Sequence, residues 1–369
     1  MWGGEMKIKI EKENFQKTLS KLQGIVEKRT IYPILSHVLI QARDEIFLEA
    51  TDLEIGLREK VPGKIEEEGE ACVEARKLYE IVREMPKEEL YFETEDNFWV
   101  RISSGNISFR LAGLDPKDFP RFSEVKEEAF VINGSVLRKM IKRVSFCASS
   151  QQSSMNLHGV LFEVEKGFLR LVATDGHRLA LCQSEVEGAI KSAQWVLPKK
   201  GVMEIRKVFD KESRLSVKSK ENLLHFEGEK GLLSVRLLEG GFPEYKYVLP
   251  SGLENKALID RENFLRALRR ASVFSGEKGE GVKMSFSPDG KFELQVEGPS
   301  GEYREDLTIQ YEGFPLRIMF NAHYLIEALN VMEEDKIRFE LRDQESAALL
   351  REEKNDAYLY VVMPMRMLE

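Results

Sequence analysis

Internal similarity at a fixed spacing constrains this chain more than any other feature, because a repeat dictates how often one architecture must be built. Leu48-Glu49-Ala50-Thr51-Asp52 returns 123 residues later as Leu171-Val172-Ala173-Thr174-Asp175, and the same step leads to Leu294-Gln295-Val296. Phe119-Pro120 and Phe242-Pro243 are related by that step as well. So are Ala75-Arg76-Lys77, Pro198-Lys199-Lys200 and Asn321-Ala322-His323, each at the start of a helical pattern. One step shared by separate segments divides the 369 residues into three copies, 6–125, 126–252 and 253–369, with 1–5 as an N-terminal extension. At roughly 120 residues each copy is large enough to own a core, so the copies read as domains rather than short solenoid repeats.

Each copy opens on an amphipathic stretch: Phe15, Leu19, Leu22 and Val26; Val136, Leu137, Met140, Ile141 and Val144; Phe264, Leu265 and Leu268. These spacings are helical. Asn133-Gly134-Ser135 and Asp260 precede two of them as side-chain caps. Between the helices lie alternating runs such as Ile107-Ser108-Phe109-Arg110-Leu111 and Leu233-Ser234-Val235-Arg236-Leu237, which predict half-buried strands. The class is therefore α+β, each copy reading as strands, a helix, strands, a helix and more strands.

Composition is that of a folded chain, 42% hydrophobic and 32% charged, with a formal charge of −8. No apolar run reaches the ~18–20 residues a membrane span needs, and the N-terminus lacks a secretory pattern, so a cytoplasmic protein with no membrane partner is expected. Cys72, Cys147 and Cys182 are far apart and form no Cys-x-x-Cys pair. Buried free thiols are expected, with neither a disulfide framework nor a cysteine zinc site. A net negative charge argues against indiscriminate coating of nucleic acid, but the charges are unevenly placed. The helical windows 12–29, 75–84, 134–149, 198–211, 260–271 and 321–332 carry +12, with 21 Lys and Arg against 9 acids, and the rest of the chain carries −20. Arg138, Lys139, Lys142 and Arg143 stand in a window free of acids, whereas the last window has Glu327 and no cation. Basic helices on an acidic body are a footprint for a polyanion, and with no base-reading module in view the contact expected is to phosphates.

Ala173-Thr174-Asp175-Gly176-His177-Arg178-Leu179 is the most conspicuous local motif. An enzyme using Asp175 and His177 is the alternative from another class, but no nucleophile or metal constellation accompanies them, and Asp-Gly is a turn signal. Thr51-Asp52 repeats the first part of the motif without the Gly and His, which points to a shared structural role for the aspartate. His37, His158, His225 and His323 form no ligand spacing, and no cofactor or metal is expected. By composition the C-terminal Tyr358-Leu359-Tyr360-Val361-Val362-Met363-Pro364-Met365-Arg366 reads as an edge strand tucked onto a core.

Together Tyr32-Pro33-Ile34-Leu35, the ATDGHRLA segment at 173–180, Val196-Leu197-Pro198-Lys199-Lys200-Gly201-Val202, Phe242-Pro243-Glu244-Tyr245 and the YVVMPMR segment at 360–366 carry a resemblance. From Met6 to Met367 the chain resembles the bacterial DNA polymerase III beta subunits, the sliding-clamp family. The resemblance implies three DNA-clamp domains, each with two helices packed on antiparallel sheets, in a head-to-tail homodimeric ring with helices around the hole and sheets outside. It implies a non-catalytic processivity factor that encircles double-stranded DNA without regard to sequence. Partners would be the polymerase III alpha subunit, the clamp-loader delta subunit, and other polymerases and repair proteins bearing short linear motifs. A paralogue serving only as an interaction scaffold is the nearer alternative.

By matching position, the resemblance assigns DNA contact to Arg29, Arg76, Gln151, Lys199, Lys200 and Lys207. It assigns a peptide groove to Leu157, Thr174, Gly176, His177, Arg178 and Leu179, to Pro243, Val248, Asn321 and Tyr324, and to Val361, Val362, Met363, Pro364, Met365 and Arg366. This makes the C-terminal tail the wall of a binding site. Tyr247 stands beside the groove where some members have arginine. The dimer interface falls on Phe109 and Leu111 of one subunit and on Val273 and Phe274 of the other.

Overall fold

A computed structural model describes residues 5–27, 31–86, 89–122, 125, 128–150, 156–188, 191–209, 214–274, 281–298 and 301–367. Its helices are α1 (Lys12–Leu22), α2 (Ala75–Glu84), α3 (Gly134–Val144), α4 (Lys199–Val208), α5 (Arg261–Ala271) and α6 (Ala322–Val331), two in each sequence copy. Phe15, Leu19 and Leu22 of α1 and Phe264, Leu265 and Leu268 of α5 are buried, as their spacing requires. Asn133 Oδ1 accepts the Ser135 N–H at 2.8 Å and Asp260 Oδ1 the Asn263 N–H at 2.8 Å, so both expected caps form. Asn321 caps α6 in the same way, through the His323 N–H at 2.9 Å. Helix α1 is shorter than its window. It stops at Leu22, where a turn through Gln23 and Gly24 leaves Ile25 buried outside the helix.

The strands form four antiparallel sheets, and the two largest ignore the boundaries of the repeat. Two compact units result, each with parts of two copies: 1–135 with 203–237, and 136–202 with 238–369. In the first unit, Ile55–Val61 of copy one pairs with Gly231–Arg236 of copy two inside a nine-stranded sheet. In the second unit, Arg178–Glu185 of copy two pairs with Tyr358–Val362 of copy three inside another. Each unit adds a smaller sheet: five strands ending on Ile107–Leu111 in the first, and four ending on Gly301–Thr308 in the second. The cores lie between sheets and helices. Phe15 meets Phe92 at 4.8 Å between ring centroids in the first unit. Phe264 meets Phe292 at 5.5 Å, and Phe286 stacks on Phe292 at 4.5 Å, in the second.

Two local expectations are corrected. Tyr358–Val362 is a central strand, paired on one side with Arg178–Glu185 and on the other with Ala348–Glu352, and not an edge. Pro364 lies beyond the end of that strand, so its missing N–H takes nothing from the ladder. Ile107–Leu111 is a strand but is not half-buried. It is outermost in its sheet, and Ile107 and Phe109 are each 38% exposed. Among the described residues, no helix is long and apolar enough to cross a membrane.

Candidate functional site

The Thr-Asp turn is built twice with the same bonds. Thr51 Oγ1 donates to the Ile55 carbonyl at 3.0 Å, and Asp52 Oδ1 accepts the N–H groups of Glu54 and Ile55 at 3.0 and 2.6 Å. One repeat later Thr174 Oγ1 donates to the Arg178 carbonyl at 2.6 Å, and Asp175 Oδ1 accepts from His177 and Arg178 at 3.0 and 3.1 Å. The third turn position is left-handed in both, Leu53 at φ +73° and Gly176 at φ +92°. Glycine takes that conformation without strain and leaves the second turn without a side chain at its exposed apex. Asp175 Oδ2 also holds Arg178 Nε at 3.0 Å. Both carboxylate oxygens thus hold local donors, which is a structural duty and not that of a general acid or base.

Arg178 organises what surrounds it. Nearly buried, it donates to Glu327 Oε2 at 2.5 Å and to the Phe146 carbonyl at 3.3 Å, and its guanidinium lies 4.2 Å from the Tyr324 ring centroid. Tyr360 donates its hydroxyl to the Tyr324 carbonyl at 2.8 Å. Leu179 faces Val361 across the strand pair, and both belong to one apolar cluster with Leu161, Val172, Leu181, Val196, Tyr245 and Leu349. The tail is tied down by the Met363 N–H on the His177 carbonyl at 2.9 Å and the Met365 N–H on the Met319 carbonyl at 2.7 Å. Met363, His177, Val248 and Arg366 remain exposed, while Leu157, Thr174, Pro243, Asn321, Tyr324, Pro364 and Met365 are half-buried. All sixteen groove positions fall in the second unit. Glu327 and Phe146, which fix Arg178, were not among them. The one sequence signal for Glu327 is that it is the lone charge in the α6 window.

The equivalent seam of the first unit is closed by its own chain. Gly56 faces Ser234 where Leu179 faces Val361, and the Arg236 N–H on the Glu54 carbonyl at 2.7 Å repeats the Met363–His177 bond. A Cβ on Gly56 would lie 1.9 Å from the Phe122 ring, so that ring occupies the space a larger residue needs. Gly56→Leu, which copies the second seam, is expected to destabilise the protein by about 1–3 kcal/mol through overpacking. Adding Phe122→Ala should recover most of the loss in chemical denaturation.

The basic helices are less open than their counts imply. Arg76, Lys200 and Lys207 present exposed side chains, with Arg76 Nε 3.3 Å from Glu80 and Lys207 Nζ 2.7 Å from the buried Glu204 carboxylate. Lys199 is half-buried and donates to the Ala148 carbonyl at 2.8 Å. Arg29 and Gln151 lie outside the described residues. In α3 two of the four cations of the acid-free window are already engaged: Lys139 pairs with Glu333 at 2.5 Å and Arg143 is buried against Glu352 at 2.8 Å. Helical phase sets Arg143 beside the buried Val144, with Met140 a turn earlier, so it points into the protein.

Phe109 and Leu111 lie on the open strand of the five-stranded sheet, in the first unit. Val273 and Phe274 follow α5 in the second, Val273 exposed and Phe274 lying where a Cβ on Gly301 would meet its ring at 2.8 Å. The three cysteines are free and buried. Burial pushes the Cys72 thiol up to about 12 and the Cys182 thiol up to about 11, so neither is a ready thiolate. Among the described residues no cluster of three or more His, Cys, Asp or Glu side chains is set to hold a metal.

Three family models match in succession: the N-terminal domain of the DNA polymerase III beta subunit over residues 6–123, its central domain over 131–244 and its C-terminal domain over 246–366. The chain is 34% identical to the beta sliding clamp of Pseudomonas putida, covering 98% of this chain and all of that one. A crystal structure of a DnaN sliding clamp from Pseudomonas aeruginosa superposes with a TM-score of 0.93 at 33% identity, over 99% of this chain and 100% of the other. The DNA polymerase sliding clamp of Bacillus subtilis gives 0.95 at 27% identity, over 99% of this chain and 100% of the other.

Proposed function

The chain belongs to the DNA polymerase III beta subunit family, the sliding clamps, and we infer from this that two copies close head to tail into a ring around duplex DNA. The copies 6–125, 126–252 and 253–369 are its clamp domains. The observation that carries the reading is the outermost strand Ile107–Leu111, with Ile107 and Phe109 exposed on an open edge. Such an edge is a liability in a lone chain and an interface in an assembly. Leu111 supports Phe109 there, and Val273 and Phe274 of the other copy face them. The ring acts as an accessory factor and not as an enzyme, in the cytoplasm, where a bacterial chromosome is copied.

Topology then supplies processivity. A closed ring leaves DNA only by opening or by sliding off an end, so its contacts can be weak and non-specific. Arg76, Lys199, Lys200 and Lys207, with Arg29 and Gln151, meet phosphates without reading bases. The groove on the second unit tethers the polymerase III alpha subunit, the clamp-loader delta subunit, and other polymerases and repair proteins by short apolar motifs laid over Leu179, Val361 and Met363. Retention after loading is the test. Protein on a nicked circle should persist for many minutes and be lost within seconds of cutting the circle. Lys199→Glu with Lys200→Glu should lower loading and flatten its salt dependence by about two phosphate contacts. Equal retention on circular and linear DNA would exclude topological binding.

A further inference from the structure

The turn at the lip of the groove is pinned on one side and bare on the other. Tyr245–Val248 is a single 3-10 turn. Tyr245 is buried and donates its hydroxyl to Glu163 at 2.6 Å, while Leu249 packs on the cluster that includes Leu179 and Val361. Lys246 is engaged too, its ammonium 3.3 Å from Glu163. What remains facing solvent is Tyr247, 88% exposed, beside Val248. The Tyr247 N–H closes the turn on the Glu244 carbonyl at 3.2 Å. Glu244 is the residue that leads into this turn, so its carboxylate and the phenol ring leave the backbone three residues apart at the two ends of one hydrogen-bonded loop. Glu244 is exposed, and its carboxylate has no hydrogen-bond or ion-pair partner among the described residues. Neither side chain supports the fold, yet both are held on a turn anchored at each end.

We propose that Glu244 and Tyr247 form a selectivity element that favours linear motifs carrying arginine, and more weakly lysine, beside their apolar core. This rests on the groove reading above and adds to it the chemistry of the flanking residue. A guanidinium laid over the Tyr247 ring gains a cation–π contact while donating to the Glu244 carboxylate. Arginine suits the site better than lysine because its planar head stacks and donates together. An acidic flank meets Glu244 with like charge and gains nothing from the ring. The turn is already fixed, so binding orders only the ligand.

Two labelled peptides with one shared Gln/Leu/Phe core, flanked by arginine in one and by glutamate in the other, are titrated with the full-length protein by fluorescence anisotropy. The arginine peptide should bind about five- to tenfold tighter, the scale of one exposed cation–π contact with a screened ion pair. Tyr247→Ala and Glu244→Gln should each reduce that ratio severalfold, Tyr247→Phe should keep it, and Tyr247→Arg should reverse it. A ratio unchanged by Tyr247→Ala would trace the preference to the overall negative charge and overturn the assignment. Tighter binding of the glutamate peptide would overturn it as well and implicate Arg366. Equal binding of both peptides removes the lip assignment and leaves the groove standing. If neither peptide binds, the groove reading falls and the lip with it.

Discussion

Arg143→Met lowers the unfolding free energy by about 3–5 kcal/mol, because it strands a buried carboxylate. Arg143 is 3% exposed and Glu352 fully buried. The guanidinium donates to Glu352 Oε1 at 2.8 Å and lies 5.1 Å from the Tyr358 ring centroid. Glu352 also accepts the Glu333 N–H at 2.6 Å and Asn355 Nδ2 at 2.8 Å, but these are neutral donors. Without the guanidinium, the carboxylate keeps two hydrogen bonds and loses its counter-charge in a medium that cannot replace it. The check is urea denaturation: the midpoint should fall with little change in slope, since the surface exposed on unfolding is nearly the same. Arg143→Met with Glu352→Gln should regain most of the loss, because a buried pair contributes little net stability and mainly penalises its own disruption. A single variant as stable as the native protein would show that the pair is solvated. The bond joins a helix of the second copy to a strand of the third, so the same variant should loosen the seam on which the proposed groove rests.

That pair also marks where sequence reading stops. The starts of the six described helices lie within a residue or two of the sequence windows, three from amphipathic periodicity and caps, which are local signals, and three from the repeat step that relates Ala75, Pro198 and Asn321. The shared duty of Asp52 and Asp175 was legible for the same reason, the turn being closed within four residues. Arg143 and Glu352 lie 209 residues apart, so helical phase can set Arg143 beside the apolar face of α3 while Lys142 is exposed, but it does not reveal the carboxylate that Arg143 meets there. The tail was misread because Pro364 resembles an edge marker, whereas the residue that decides is Val361, whose pairing with Leu179 depends on which sheets join. Phe122 over Gly56 is a further case. The repeat suggests two equivalent seams, but the Phe122 ring, placed by tertiary packing, fills the space beside Gly56 in the first, whereas the second carries the apolar cluster of Leu179 and Val361.

In the head-to-tail ring proposed above, replacing Phe109 by Asp should raise the dimer dissociation constant by about 30- to 1000-fold, since losing an aromatic anchor from an interface costs about 2–4 kcal/mol. Two terms act together. The ring no longer fills its apolar contact, and a carboxylate must be desolvated on the edge where Ile107 and Leu111 expect apolar partners. Only part of this falls on the isolated fold, because Phe109 is 38% exposed and its strand pairs only on the Ile102 side. The thermal midpoint of the dilute chain should therefore fall modestly, by the loss of the ring area its own fold covers, while its sedimentation shifts toward the single-chain mass. Ser108→Asp is the matched control: successive side chains of a strand point to opposite faces, so the same charge one position away leaves the apolar row intact. The consequence for DNA is larger than the loss in affinity, because retention depends on closure and not on contact strength. An opened ring falls back on the sparse contacts of its helices, and its lifetime on a nicked circle should drop to that seen on linear DNA. A Phe109→Asp protein that keeps the double mass and long retention would place the interface on another strand.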